Sequence, residues 1–275
     1  MMTNKNPEIG HSIDIGNCKV NYLDEGEGDV ILLLHGSGPG VTAYANWRLL
    51  IPVLSKDFRV IAPDVIGFGY TDFPESFDAT LTNWTDFLIR FMDSLGITKA
   101  SFVGNSFGGG LSLAMAVKHP ERVHRFVMMG AAGIKFDITE GLRKVWGYKP
   151  SFEAMRDLMN TFAYRGDLIS DEIVESRYQA SLRSGYQEAY ASLFPEPMQE
   201  KLDGLRLPEE ELAQVEHPVL LVHGKEDVII PVDCSLRANK IFKNSDLHIY
   251  SNCGHWTQFE RAEEFGVLVH NFLSQ

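Results

Sequence analysis

Gly104-Asn105-Ser106-Phe107-Gly108, continuing into Gly109-Gly110, joins the run ASFVG at 100–104 to an apolar stretch that reads as a helix starting after Gly110. A G-x-S-x-G in that position is a strand-to-helix turn, with glycines where no side chain fits and a serine held in strained geometry with its Oγ exposed. The bare pattern is common, and a Gly-rich turn around a passive serine is the competing reading. The surrounding sequence bears on that choice. VILLL at 30–34, FRVIA at 58–62, HRFVMM at 124–129 and PVLLV at 218–222 are further continuous apolar runs of the kind found in strands buried on both faces. Between them lie amphipathic stretches, such as residues 81–95 with Trp84, Phe87, Leu88, Phe91 and Leu95 on one helical face. Strand-helix alternation predicts an α/β protein, a mostly parallel central sheet flanked by helices.

The alternation has two exceptions. HSIDIGNCKVNYLD at 11–24 alternates polar and apolar residues about Gly16-Asn17, which predicts an antiparallel hairpin at a sheet edge. From about Ile134 to Pro208 the sequence has helical periodicity and no buried-strand run, which predicts a helical cap over 134–208 inserted into a core of 1–133 and 209–275. The strand pattern returns at Pro218, followed by a predicted helix over 232–242, a strand over 246–250 and a closing helix over 261–273.

Composition narrows the function. The 275 residues are 44 % hydrophobic, and 25 Lys and Arg against 37 Asp and Glu give a formal net charge of −12. So acidic a chain without a basic cluster is repelled by nucleic acid and by anionic membranes, and neither is expected as a partner. Cys18, Cys234 and Cys253 are too scattered for a disulfide framework or a metal site. No metal and no cofactor is expected, since HExxH and clustered Cys/His ligands are both missing. The N-terminus lacks an apolar signal core, and the longest apolar run, residues 30–34, is far below the roughly 18 residues of a membrane span. A cytoplasmic location is expected.

Downstream of Ser106 the chain supplies a carboxylate in His223-Gly224-Lys225-Glu226-Asp227 and an imidazole in Cys253-Gly254-His255-Trp256, each after a predicted strand. Ser, Asp, His is the chain order that this turn leads one to expect. A serine hydroxyl needs a neutral imidazole to take its proton, and the imidazole needs a buried carboxylate to fix its tautomer. Ser106, Asp227 and His255 are the candidate catalytic triad, with Asp227 preferred over its neighbour Glu226 on direction. His119, His124, His217 and His248 read as surface or strand-end residues, and His223 as the end of a core strand. His35-Gly36-Ser37-Gly38-Pro39-Gly40 follows VILLL and is small enough to offer a backbone N–H to an oxyanion. The N–H groups of Ser37 and Phe107 are the candidate donors. His35 reads as a brace, and HGSGPG lacks the glycine spacing of a phosphate loop.

With these residues the chain resembles the α/β-hydrolase superfamily, and within it the carbon–carbon bond hydrolases that act on meta-ring-cleavage products of aromatic degradation. The marks are HGSGPG at 35–40, Asn46, PDVIGFGYTD at 63–72, GNSFGGG at 104–110, Arg177 and CGHWTQ at 253–258. They are most like the branch handling 2-hydroxymuconic semialdehyde and its alkyl derivatives. The resemblance implies an α/β-hydrolase fold with a helical cap, and an acidic dienol as the small-molecule substrate. It implies that Arg177 binds the substrate carboxylate, a role for which Arg143, Arg156, Arg165 and Arg183 are the alternatives within the cap, while Asn46, Asn105 and Trp256 complete the substrate-binding set. The implied reaction ketonises the dienol and then cleaves the bond beside the distal ketone, giving 2-hydroxypenta-2,4-dienoate and a carboxylic acid. Covalent attack by Ser106 and attack by water activated by His255 are both open. An ordinary carboxylesterase and a non-enzymatic ligand receptor are the rival readings, and a homo-oligomer, a dimer or larger, is the expected assembly.

Overall fold

A computed structural model describes residues 6–275. Its centre is an eight-stranded sheet: β1 (His11–Ile15), β2 (Cys18–Glu25), β3 (Val30–Leu34), β4 (Arg59–Pro63), β5 (Ala100–Asn105), β6 (Val123–Met129), β7 (Val219–Gly224) and β8 (Ser245–Tyr250). The order is β1-β2-β4-β3-β5-β6-β7-β8. The β1–β2 hairpin and its pairing to β4 are antiparallel, and every pairing from β4 through β8 is parallel. The strand carrying the G-x-S-x-G turn therefore lies in the sheet interior, and the hairpin is at one edge.

Short helices α1 (Ala43–Trp47) and α2 (Ile51–Leu54) follow β3, α3 (Leu81–Ser94) follows β4, and α4 (Phe107–Lys118) follows β5. Successive strand residues point to opposite faces. Phe102 of β5 accordingly joins a cluster with Trp84, Phe87 and Phe91 of α3, while Val103 joins one with Trp47 and Ile51 from the helices after β3. Between β6 and β7 the described residues hold helices and no strand: α5 (Glu140–Trp146), α6 (Phe152–Phe162), α7 (Asp171–Ser181), α8 (Tyr186–Leu193), α9 (Met198–Asp203) and α10 (Glu209–Leu212). The hydroxyls of Thr139, Ser151 and Ser170 cap the first, second and third of these, each accepting from a backbone N–H three residues on. The chain closes with α11 (Asp233–Ile241), α12 (Thr257–Glu260) and α13 (Ala262–Leu273), the last packing Phe265, Val269 and Phe272 into the Val103 cluster. None of the described helices is long and apolar enough to cross a membrane.

One boundary differs from the sequence reading. The helix after the turn begins at Phe107, directly behind the serine, so Gly108, Gly109 and Gly110 form its first turn and do not precede it. The reason is space: a Cβ on Gly108 would lie 2.1 Å from the Leu34 carbonyl oxygen, and one on Gly109 would lie 2.5 Å from Ala131 Cβ. The glycines let α4 start against the strand ends.

Candidate active site

Ser106 occupies φ 54°, ψ −115°, a region that non-glycine residues rarely enter. Such strain costs on the order of 1–3 kcal/mol and persists where the surroundings fix it. Here its N–H donates to the Met129 carbonyl at 2.9 Å, and its own carbonyl accepts from Gly110 and Ala132, both at 3.1 Å. A Cβ on Gly104 would sit 2.2 Å from the Gly108 carbonyl, so the turn admits no larger residue there. The hydroxyl is left at the wall of a narrow cavity that His255 also lines.

Asp227 leaves the loop after β7, and His255 leaves the loop after β8. His255 Nδ1 lies 2.7 Å from Asp227 Oδ2, so the imidazole donates there and its Nε2 is free to take a proton. The other carboxylate oxygen accepts from the N–H groups of Ile229 at 2.8 Å and Ile230 at 3.0 Å. Burial raises the Asp227 pKa, but the charges and hydrogen bonds of His255 and His223 outweigh it and hold the carboxyl well below the usual range. The acid is therefore ionised at any working pH. Glu226, the rival carboxylate, is turned away and accepts from the Cys253 N–H at 3.0 Å.

His223 was legible only as the end of a strand, yet it belongs to this arrangement. Fully buried, it places Nε2 3.2 Å from Asp227 Oδ2 and 3.0 Å from the Ile230 carbonyl, with Nδ1 2.7 Å from Ser235 Oγ. Two acceptors at Nε2 assign the proton to that nitrogen, and Nδ1 then accepts from the serine hydroxyl. Gly130 is a second residue without a signal in the sequence. At φ 50° it approaches so closely that a Cβ would lie 3.1 Å from Asp227 Oδ2 and 3.2 Å from His255 Nδ1.

His35 braces the loop after β3. Its Nδ1 donates to the Gly36 carbonyl at 2.7 Å, its Nε2 accepts from the Val65 N–H at 2.9 Å, and burial lowers its pKa to about 4. A neutral imidazole with both nitrogens engaged is not a base. The Ser37 carbonyl accepts from the Tyr190 hydroxyl at 3.0 Å, and the Ser37 hydroxyl accepts from Trp146 Nε1 at 3.2 Å. No hydrogen bond among the described residues uses the N–H of Ser37 or of Phe107. Both are free to meet an oxyanion.

The cavity wall also brings together Asn46, Asn105, Arg177 and Trp256. Asn46 Nδ2 is buried with no hydrogen-bond partner among the described residues, an orphan donor of the kind that folded proteins seldom leave unused. Asn105 Nδ2 reaches the Met129 carbonyl only at 3.4 Å. The Arg177 guanidinium donates to the Gly40 carbonyl at 3.0 Å and lies 6.0 Å from the centre of the Trp256 ring. No carboxylate among the described residues pairs with it, and burial lowers its pKa from the usual value. The other four cations behave differently. Arg156 pairs with Asp171 and Arg165 with Asp167, Arg183 lies over the Tyr70 ring, and Arg143 is exposed. Trp256 stacks on Phe162 at 4.8 Å, and the Phe162 carbonyl accepts from the His255 N–H at 2.8 Å. Asn46, Arg177 and Trp256 also line an adjoining pocket that opens to solvent.

A profile of the alpha/beta hydrolase fold matches residues 29–262. The chain is 48 % identical, over 98 % of its own length and 95 % of the relative's, to a 2-hydroxymuconate semialdehyde hydrolase of Pseudomonas sp. strain CF600. It is 47 % identical, over 99 % of both chains, to a 2-hydroxy-6-oxo-2,4-heptadienoate hydrolase of Pseudomonas putida F1. A solved meta-cleavage product hydrolase from Pseudomonas fluorescens IP01, a serine-to-alanine variant complexed with acetates, superposes with a TM-score of 0.96 at 50 % identity over 98 % of this chain and 99 % of that one. By sequence, fold and extent of match, the chain belongs to the alpha/beta hydrolase fold family and, within it, to the meta-cleavage product hydrolases.

Proposed function

We propose that this enzyme hydrolyses a carbon–carbon bond in a 2-hydroxy-6-oxo-2,4-dienoate, such as 2-hydroxymuconic semialdehyde or a 6-alkyl derivative, to 2-hydroxypenta-2,4-dienoate and a carboxylic acid. The observation that carries this reading is the pairing, in one cavity, of Ser106 and His255 with a guanidinium that has no acid partner among the described residues. In a protein of net charge −12, an unpaired half-buried arginine is a seat for an anion brought by the substrate. An esterase needs no such seat.

In this scheme Arg177 takes the dienolate carboxylate, and Asn46 and Asn105 orient the enol end beside Trp256. Proton delivery to the dienolate gives the keto tautomer, in which the carbon next to the distal ketone can leave as a stabilised carbanion. His255 Nε2 then accepts a proton from Ser106, or from water, as the oxygen adds to the distal ketone. The oxyanion takes hydrogen bonds from the Ser37 and Phe107 N–H groups, and its collapse expels the carbanion. With Ser106 as nucleophile, the protonated His255 gives its proton to the departing carbanion, and the neutral imidazole then activates the one water that hydrolyses the acyl ester. We read residues 134–208 as the cap of a core formed by 1–133 and 209–275, because Leu142, Val145, Phe162 and Arg177 come from that segment to line the cavity.

The test is a panel of ring-fission products followed by loss of their yellow absorbance. Wild type should bleach at least one, while Ser106→Ala and His255→Ala should each lose at least about 10³-fold in turnover with little change in melting temperature. Either variant keeping more than a tenth of the activity would overturn the triad. Inertness toward every dienol with brisk aryl-ester turnover would make the protein a carboxylesterase. The same reading has the enzyme in the cytoplasm as a homo-oligomer, which light scattering on the purified chain checks for assembly.

A further inference from the structure

The HGSGPG loop holds its own donor from one side: the Gly36 carbonyl, in the peptide that carries the Ser37 N–H, accepts from His35 Nδ1 at 2.7 Å. Ser37 lies between Gly36 and Gly38, and glycine-flanked peptides have wide backbone freedom whose restriction costs about 1–2 kcal/mol per residue. Within the loop, only the Gly38 carbonyl closes a turn, accepting from the Val41 N–H at 3.2 Å. Yet an oxyanion donor must lie about 2.7–3.1 Å from the atom it stabilises. The Ser37 side of that peptide must be fixed from outside the loop.

The fixing groups come from the helices between β6 and β7. The Tyr190 hydroxyl on α8 donates at 3.0 Å to the Ser37 carbonyl and at 2.7 Å to the Val145 carbonyl of α5, so one proton bridges the loop to α5. Trp146 Nε1, at the end of α5, donates to Ser37 Oγ at 3.2 Å. The carbonyl and the Cβ–Oγ arm are two of the substituents around the Ser37 Cα, and the N–H is carried by the third. Holding the first two against rigid partners fixes where the Cα–N bond lies, and the His35 bond to the Gly36 carbonyl turns the peptide plane about it. The partners are rigid: Tyr190 is 0 % exposed and Trp146 4 %, and the Trp146 ring stacks on Phe194 at 4.4 Å with 7° between planes. Burial raises the Tyr190 phenol well above its usual pKa, so it remains a donor. Neither side chain is among the residues that line the cavity.

We propose that Tyr190 and Trp146 are positioning residues that complete the oxyanion hole from the cap side, so that the aim of the Ser37 N–H depends on the cap helices being docked. The proposal rests on the Ser37 and Phe107 N–H groups being the oxyanion donors, as set out above. It assigns to two buried aromatic residues a catalytic effect exerted through a peptide that they do not belong to.

The experiment uses the full chain carrying Tyr190→Phe, which keeps the ring and removes the bridging proton. Turnover is measured on a ring-fission dienol and on 4-nitrophenyl acetate, together with affinity for an aryl trifluoromethyl ketone, whose serine adduct carries an oxyanion, and for benzoate, which carries only a carboxylate. Loss of a whole oxyanion donor costs about 10²–10³-fold in kcat, so a displaced one should cost about 10- to 100-fold. The expected result is that loss in kcat on both substrates with KM within about threefold, an equal loss for the trifluoromethyl ketone, and benzoate affinity within about twofold. A kcat within about twofold of wild type overturns the proposal, as does benzoate affinity falling as far as that of the ketone, which marks general disruption. Should Tyr190→Phe fail to fold, Trp146→Phe is read by the same criteria. Wild type inert toward dienols and ester alike defeats the hydrolase reading itself, whereas active wild type, dead Ser106→Ala and unimpaired Tyr190→Phe defeat only this inference.

Discussion

Arg177 is the residue on which substrate class turns, because it is a cation with no anion beside it among the described residues. Replacing it with Gln removes a charge-assisted contact to the dienolate carboxylate worth roughly 1.5–3 kcal/mol, or about 10- to 150-fold in kcat/KM. The same guanidinium also steadies the loop through the Gly40 carbonyl at 3.0 Å, so a neutral aryl ester should suffer too, but at least about tenfold less than the dienol. Parallel kinetics on the two substrates decide it, and equal losses would reduce Arg177 to a loop support. The sequence singled out Ser106, Asp227 and His255 because each follows a strand in a fixed chain order, and order along the chain survives without coordinates. It could not rank Arg177 against Arg143, Arg156, Arg165 and Arg183 by physics, since what separates Arg177 from Arg156 is an ion pair to Asp171, a tertiary fact. Nor could it reveal His223. A histidine ending a buried strand has no mark in sequence for where its ring points, and only the 3.2 Å approach to Asp227 makes it part of the site.

At the level of elements, glycines separate into those that the fold needs for space and those it needs for a backbone angle. Gly108 is in the first turn of α4 with the Leu34 carbonyl 2.1 Å from where a Cβ would stand, and backbone cannot step aside. Gly108→Ala should cost about 3 kcal/mol or more and lower the melting temperature by roughly 6–12 °C, with activity falling as the turn at Ser106 shifts. Gly16, in the β1–β2 turn at φ 63°, has no atom within 4 Å of that point, so Gly16→Ala carries only the angular penalty of about 1 kcal/mol and roughly 2–4 °C. Thermal melts of the two variants check the ranking, and comparable losses would show that α4 has room to retreat. Continuous apolar runs made the interior strands legible, and strict alternation did the same for the edge hairpin. Helices α1 and α2 escaped notice because five and four residues do not complete enough turns to display a period. They are set by contacts: the Thr42 hydroxyl accepts from the Ala45 N–H at 3.0 Å, and Asp64 accepts from the Ala43 N–H at 2.6 Å.

Across the whole molecule, two buried titrating groups oppose each other. Asp64, at the exit of β4, receives N–H donors from Ala43 at 2.6 Å, Tyr70 at 2.8 Å and the Asn21 amide at 2.8 Å, tying the edge hairpin to α1 and to the loop after β4. Burial outweighs these bonds and raises its pKa from 3.8 to about 6. Between those values the folded state holds a proton that the unfolded chain has lost, so this group removes stability as pH rises from about 4 to about 6. His35 does the reverse. Its pKa falls from 6.5 to about 4, the unfolded chain binds the extra proton between those values, and stability rises with pH across that window. At about 1.4 kcal/mol per pH unit each effect is worth about 3 kcal/mol, so they nearly cancel from about pH 4 to 6. Removing either should expose the other. Relative to wild type, the melting temperature of Asp64→Asn should climb between pH 4 and 6.5, and that of His35→Gln should drop between pH 4 and 6, each by roughly 5–10 °C. Variant profiles that run parallel to wild type would mean that neither group titrates as its burial requires. The cancellation has a consequence for function. Because His35 starts the oxyanion loop and Asp64 anchors the neighbouring turn, the site keeps its frame through mild acid, and a fall in kcat/KM across that window is not a loss of fold.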